Sequence, residues 1–199
     1  MKKFELTAEF VTNVFGKKLF RIKALVAFGN VEKGELGGFI EKEDNLSHDG
    51  DAWVYGNAQV SGDARVYGNA QVFGNARVYG NARVYGNAQV SGDALVSGNA
   101  RVSGNARVYG DAWVYGNAQV SDDADYAVVK GFGRCFRTTT FFRCKDKILR
   151  VQCGCFYGDL AQFREIVKKT HGDSKYAKEY LAIADLMELH FSDECGGEQ

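Results

Sequence analysis

The chain of 199 residues contains no proline. Its turns must be made by residues that tolerate unusual backbone angles, and 24 glycines are available for that. Net charge is also missing: 25 lysines and arginines balance 25 aspartates and glutamates, with a pI of about 6.8. No overall field draws the chain to a polyanion, so nucleic acid is not an expected partner. No apolar run approaches the ~20 residues of a membrane-spanning helix. The N-terminus, MKKFELTAEF, has two lysines but no apolar signal core. A cytoplasmic location with no membrane partner is the expectation. The five cysteines all fall after residue 134, an odd and late set unlike a secreted disulfide framework. Between Asp51 and Asp125 there is neither lysine nor histidine.

What fills that stretch is a phrase of six residues: Val, then Tyr or Ser, Gly, Asn or Asp, Ala, and a free position. VYGNAQVSGDAR, from Val54 to Arg65, contains it twice, and valine recurs at every sixth position to Val120. Alternation within Ala-X-Val-Tyr/Ser sends Ala and Val one way and X and Tyr/Ser the other. Gly with Asn or Asp then turns the corner. A strand of about four residues and a two-residue corner, repeated, make a solenoid. Stacking lets each valine contribute ~1.5–3 kcal/mol by burial.

An aliphatic residue with a small one four positions later resembles the hexapeptide signature of left-handed β-helix proteins, without a break over residues 50–125. The resemblance implies three phrases per triangular coil, 18 residues per turn, and a left hand, where the general crossover rule points to the right. GELGGFIEKEDNLSHDG fits an imperfect first coil with Leu36, Ile40 and Leu46 inward and with Lys42 and His48 in places where valine belongs. The expected fold is mainly β: a left-handed parallel β-helix of hexapeptide repeats with N-terminal strands and a C-terminal α+β cap. Its divisions are 1–34, 35–125 and 126–199.

The chain is also similar to small hexapeptide-repeat proteins of bacteria and their phages. That likeness implies a non-catalytic binding or assembly protein, one version being a phage-encoded antagonist of host defence that sequesters a nucleotide signal or blocks a host protein. Helices of this family often trimerise side by side, so a homotrimer or other homo-oligomer is expected. Family acyltransferases use a histidine base and a loop over a CoA-linked donor. The repeat has neither, which leaves His48 as the one base for that alternative. No cofactor and no metal site are expected: Cys153-Gly-Cys155 lacks the usual zinc spacing.

Residues 18 apart stack at ~4.8 Å, so the free positions sort into three faces. One carries Trp53, Gln71, Gln89 and Arg107; the second Gln59, Arg77, Leu95 and Trp113; the third Arg65, Arg83, Arg101 and Gln119. The third is an arginine ladder flanked by Tyr67 and Tyr85, whose rings can hold the guanidiniums by cation–π contact. It is a candidate site for phosphates, a nucleotide or an acidic protein surface. The remaining outward aromatics, Trp53, Tyr55, Phe73, Tyr79, Tyr109, Trp113 and Tyr115, have the composition of an interface.

Past the repeat, DYAVVKGF, RTTTFFR and ILRVQCG read as strands. A helix capped by Asp159 runs to Gly172, and a second from Ser174 to Phe191. Seven bases meet one acid within residues 130–150. Arg137 and Arg143, with the threonines between them, form a second candidate anion site.

Overall fold

The computed structural model describes residues 1–192. The tail SDECGGEQ, expected to fray, lies outside the described residues from Asp193 onward. The chain divides into two compact units, Met1–Asp123 and Ala124–Gln199.

The first unit opens with β1 (Phe4–Thr12), β2 (Lys18–Ala24) and β3 (Leu36–Ile40), followed by twelve two-residue strands, β4 to β15, from Trp53–Val54 to Gln119–Val120. Those twelve are the X-Val pairs, so regular strand pairing is shorter than the four residues the alternation suggests. They stack as three parallel sheets: β4, β7, β10, β13; then β5, β8, β11, β14; then β6, β9, β12, β15. Partners lie 18 residues apart, as in Arg65↔Arg83↔Arg101↔Gln119. This is a β-solenoid of about five turns, four from the twelve strands and one begun by β3. Every repeat valine and alanine from Ala52 to Val120 is fully buried.

Each coil rests on the next through backbone bonds: Asn81, Arg83 and Tyr85 donate to Gly98, Ala100 and Val102 at 2.8–3.0 Å. The corners need glycine for two reasons. Gly80 has φ +71°, and a Cβ there would press on the Gly98 backbone at 3.1 Å. Beside the glycines, Asn side chains bond to their counterparts one coil on, as from Asn81 to Asn99 and from Asn69 to Asn87, both 3.1 Å.

The first coil departs from the expected register. Ile40 pairs with Val60 and Leu46 with Val66, each 20 residues away, before the 18-residue step resumes at Val54↔Val72. Ile40 and Leu46 therefore occupy the valine places expected for Lys42 and His48, and the corner between Leu46 and Val54 absorbs two extra residues. Leu36 is exposed rather than inward.

The N-terminal segment closes this end. β1 and β2 pair antiparallel and continue through β3 into the β5 sheet. Carbonyls of a first coil have no earlier coil to satisfy them, and side chains take over that task. The buried Asn45 donates to Gly62 O (3.0 Å) and Ala64 O (2.9 Å). The Lys3 ammonium, 3 % exposed, donates to Gly50 O (3.1 Å) and Ala52 O (2.9 Å) and lies over the Phe28 ring. Burial lowers its pKa to about 8, opposed by Asp51 and Asp49.

The second unit is an antiparallel meander, β16 (Tyr126–Phe132), β17 (Arg137–Arg143), β18 (Leu149–Cys153) and β19 (Phe156–Asp159), followed by α1 (Leu160–His171) and α2 (Lys175–Phe191). The fourth strand was not expected from the sequence. Asp159 caps α1 as anticipated: its carboxylate accepts the Gln162 N–H at 2.8 Å while Gln162 accepts that of Asp159 at 3.0 Å. Phe141 and Val151 of the sheet pack with Phe163 and Val167 of α1 and with Ile183 and Met187 of α2. Among the described residues no helix is long and apolar enough to cross a membrane.

Candidate functional site

The free position of the phrase points outward, so β6, β9 and β12 project Arg65, Arg83 and Arg101 from one face at successive rungs. All three are exposed. Together with Asp63, Asn81 and Asn99 at the adjoining corner they line a shallow groove of about 350 Å³. Like charges at strand spacing repel unless an anion lies between them. The only carboxylate in the groove is Asp63, and the Lys42 ammonium already holds it at 2.7 Å. That bond keeps Asp63 below the ordinary carboxylate range and raises Lys42, with Arg65 adding a smaller pull on Asp63. Their backbone N–H groups bond to the next coil, but among the described residues none of the three guanidiniums has a hydrogen-bond or ion-pair partner.

Tyr67 and Tyr85 flank the ladder, but not as cation–π partners. Their rings stack on each other, with centroids 4.9 Å apart and planes 1° from parallel. The reason is the repeat itself: an in-register stack places each side chain over its own kind. Beyond Tyr67 the groove widens into a second hollow of about 560 Å³, where Arg65 and Arg83 face Glu43, Asp44, His48 and Asp49. The surface thus runs from an acidic rim at the first coil to a basic floor along the prism.

His48 sits in that rim with both nitrogens engaged. Nδ1 accepts the Lys3 backbone N–H at 3.1 Å, which leaves the proton of the neutral ring on Nε2, 3.7 Å from the Glu43 carboxylate. The ring stacks on Phe4 at 4.3 Å. In this tautomer no lone pair is free to take a proton from a substrate. The acid is itself held by Lys2 at 2.6 Å, which, with a smaller effect of His48, keeps its pKa low.

The seven aromatics proposed as an interface do not form one surface. Trp53 is fully buried, its ring met edge-on by Phe4 and Phe28 of the N-terminal segment. Tyr79 is half-buried against Phe15 from the β1–β2 turn at 5.3 Å. Tyr55 and Phe73 are half-buried as well, and burial raises the Tyr55 pKa. Tyr109, Trp113 and Tyr115, near the last turn, are exposed.

The second candidate anion site is also divided. Arg137 and Arg143 lie at opposite ends of β17, roughly 20 Å apart at strand rise. Arg143 donates to Phe191 O at 3.1 Å and approaches Asp125 at 3.9 Å. Between them Thr139 and Thr140 are buried. Arg150, in the same basic run, pairs with Asp146 at 2.8 Å. Among the described residues, no three His, Cys, Asp or Glu side chains are grouped to hold a metal ion.

A family model described as the YdcK beta solenoid repeat matches residues 58–74, 70–86, 76–89, 88–104 and 100–116. The likeness is therefore to the coils, and all three ladder arginines fall inside it. No curated protein matches the chain.

Proposed function

We propose that this β-solenoid repeat protein is a non-catalytic binding module whose arginine ladder receives a chain of phosphates running along the prism. The observation that carries the reading is the ladder itself: three exposed guanidiniums in register along the corner groove, where Lys42 holds the carboxylate of Asp63. A guanidinium offers two parallel donors to one phosphate, so neighbouring rungs at ~4.8 Å can grip successive groups of a linear polyanion. A nucleotide signal held away from its receptor is one form this function takes. The rigid stack pre-organises the donors, which lowers the ordering cost of binding.

Calorimetric titration with inorganic tripolyphosphate tests this. Saturable binding that weakens as salt rises is expected. Absence of saturable heat at low salt, or binding indifferent to salt, contradicts it. The acyltransferase alternative would need His48 as a base, and its lone pair is occupied. Titration with coenzyme A is expected to give no saturable binding; stoichiometric binding would reverse that ranking.

Self-association into a trimer is a second reading, favoured by the exposure of Tyr109, Trp113 and Tyr115. Sedimentation at micromolar concentration separates it from a species of 21.9 kDa.

A further inference from the structure

The second unit contains a hollow of about 610 Å³ between the β16–β17 and β18–β19 turns and the junction of α1 with α2. Its size is that of a small-molecule pocket rather than a packing defect. The floor is apolar, built from Phe156 and from Phe163, Ile166 and Val167 of α1. Ile166 belongs to the apolar side of its helix yet is 38 % exposed, because it faces this hollow and not the core. The rim is cationic: Arg134 and Arg137 line it, and no aspartate or glutamate does. Among the described residues neither guanidinium has a hydrogen-bond or ion-pair partner.

At two walls a side chain lies close against a glycine of positive φ. Gly154, at φ +58°, lets the Arg137 guanidinium lie directly against the turn between Cys153 and Cys155; a Cβ there would collide with Nη1. Gly133, at φ +70°, does the same for the Tyr180 ring. The Tyr180 hydroxyl donates to Phe132 O at 3.4 Å, and burial pushes its pKa up to about 12, so it remains a neutral donor.

We infer that this hollow is a binding site for an organic monoanion, a carboxylate on an apolar body of about eight carbons, with Arg134 and Arg137 taking the head and Phe156, Phe163 and Ile166 the body. An aliphatic chain gains from leaving water, and the arginines fix which end points out. The site is independent of the ladder: it lies in the other unit, and a compact carboxylate is a different ligand from a phosphate chain. Either proposal can fail without the other.

The full chain is titrated with octanoate and with octanol, and Cys153, half-buried in the wall, is followed by iodoacetamide labelling and peptide mass spectrometry. Octanoate is expected to bind saturably below its micellar concentration and to slow alkylation of Cys153 at least several-fold. Octanol is expected to bind at least tenfold more weakly. The variant R134Q/R137Q, altered only at exposed side chains, is expected to lose octanoate at least tenfold while its thermal unfolding stays native. Should octanoate fail to bind, or bind R134Q/R137Q as tightly as the native chain, the proposal is overturned. Equal affinity for octanol and octanoate overturns it as well, since the hollow would then be an apolar cleft without a head-group site. Tripolyphosphate is expected not to displace octanoate; displacement would mean that one anion site serves both, against the assignment made here.

Discussion

In the coils, a side chain's nearest neighbour across the sheet is the residue 18 positions away, and it is often of the same kind: arginine over arginine, tyrosine over tyrosine, asparagine over asparagine. In the C-terminal unit several basic residues have individual settings. Arg143 reaches Phe191 O, Arg150 pairs with Asp146, and Arg164 clamps Asp185 and Glu188 at 2.7 Å each. Periodicity is what separates the two. A repeat tends to set the same residue over itself from coil to coil, so the arginines stack as like charges, and in the groove only the first of them, Arg65, has an acid, Asp63, at its corner. An irregular sheet can neutralise its bases one at a time, and two whose guanidiniums have no partner among the described residues, Arg134 and Arg137, stand at a hollow.

The comparison breaks most completely at the core of the coils. Val84 is fully buried between Val66 and Val102. Replacing it with Asp puts a carboxylate where no donor exists and is expected to cost more than ~4 kcal/mol, abolishing cooperative unfolding of the solenoid in a urea titration. A melt unchanged from the native protein would mean that the valine is not inside.

The next effect sharpens the contrast between the coils and their closed end. Lys3 has its pKa lowered from 10.5 to about 8 by burial. Between those values the unfolded chain holds the proton more firmly than the native one, so stability rises as pH climbs from about 8 towards 10.5. The gain is up to ~3 kcal/mol, and the Lys3→Met variant is expected to lose that slope. A native stability profile flat across this range would show the ammonium to be solvated.

The smallest effect concerns a single rung. The Ser97 hydroxyl is buried without a hydrogen-bond partner, whereas Ser91 and Ser103 at other corners are partly exposed. Ser97→Ala removes an unsatisfied polar group and is expected to be neutral or to stabilise by about 1 kcal/mol. A loss of that size by thermal melting would reveal a partner for the hydroxyl.

The 18-residue step was what the resemblance to hexapeptide β-helices implied; given that step, the sorting of the free positions into three faces and the arginine ladder were legible in the sequence, because a repeat then predicts its own neighbours. Ends are not periodic, and there the sequence misled. Nothing local shows that two residues slip in between Leu46 and Val54, so His48 and Lys42 were placed on the valine grid. Nothing near Trp53 shows that Phe4 and Phe28 come to cover it. The hollow in the second unit was out of reach for the same reason: Arg137 meets Gly154, and Tyr180 meets Gly133, only once the meander and helices have folded. Lys3 and Asn45 acquire their role as substitutes for a missing coil from partners 17 or more residues away.

The central claim is that repetition has left the ladder as the phosphate site, while Arg137 and Arg143 of the basic strand stand at its opposite ends, too far apart to grip one short phosphate chain together. It is tested most directly by measuring tripolyphosphate affinity for the native chain, for Arg83→Gln/Arg101→Gln and for Arg137→Gln/Arg143→Gln. Each lost charge-assisted bond is worth ~1.5–3 kcal/mol, so the ladder pair is expected to lower affinity more than about a hundredfold and leave the melt unchanged. The β17 pair is expected to change affinity little. Tripolyphosphate binding the ladder variant as tightly as the native chain would contradict the account and leave the ladder a solvated face.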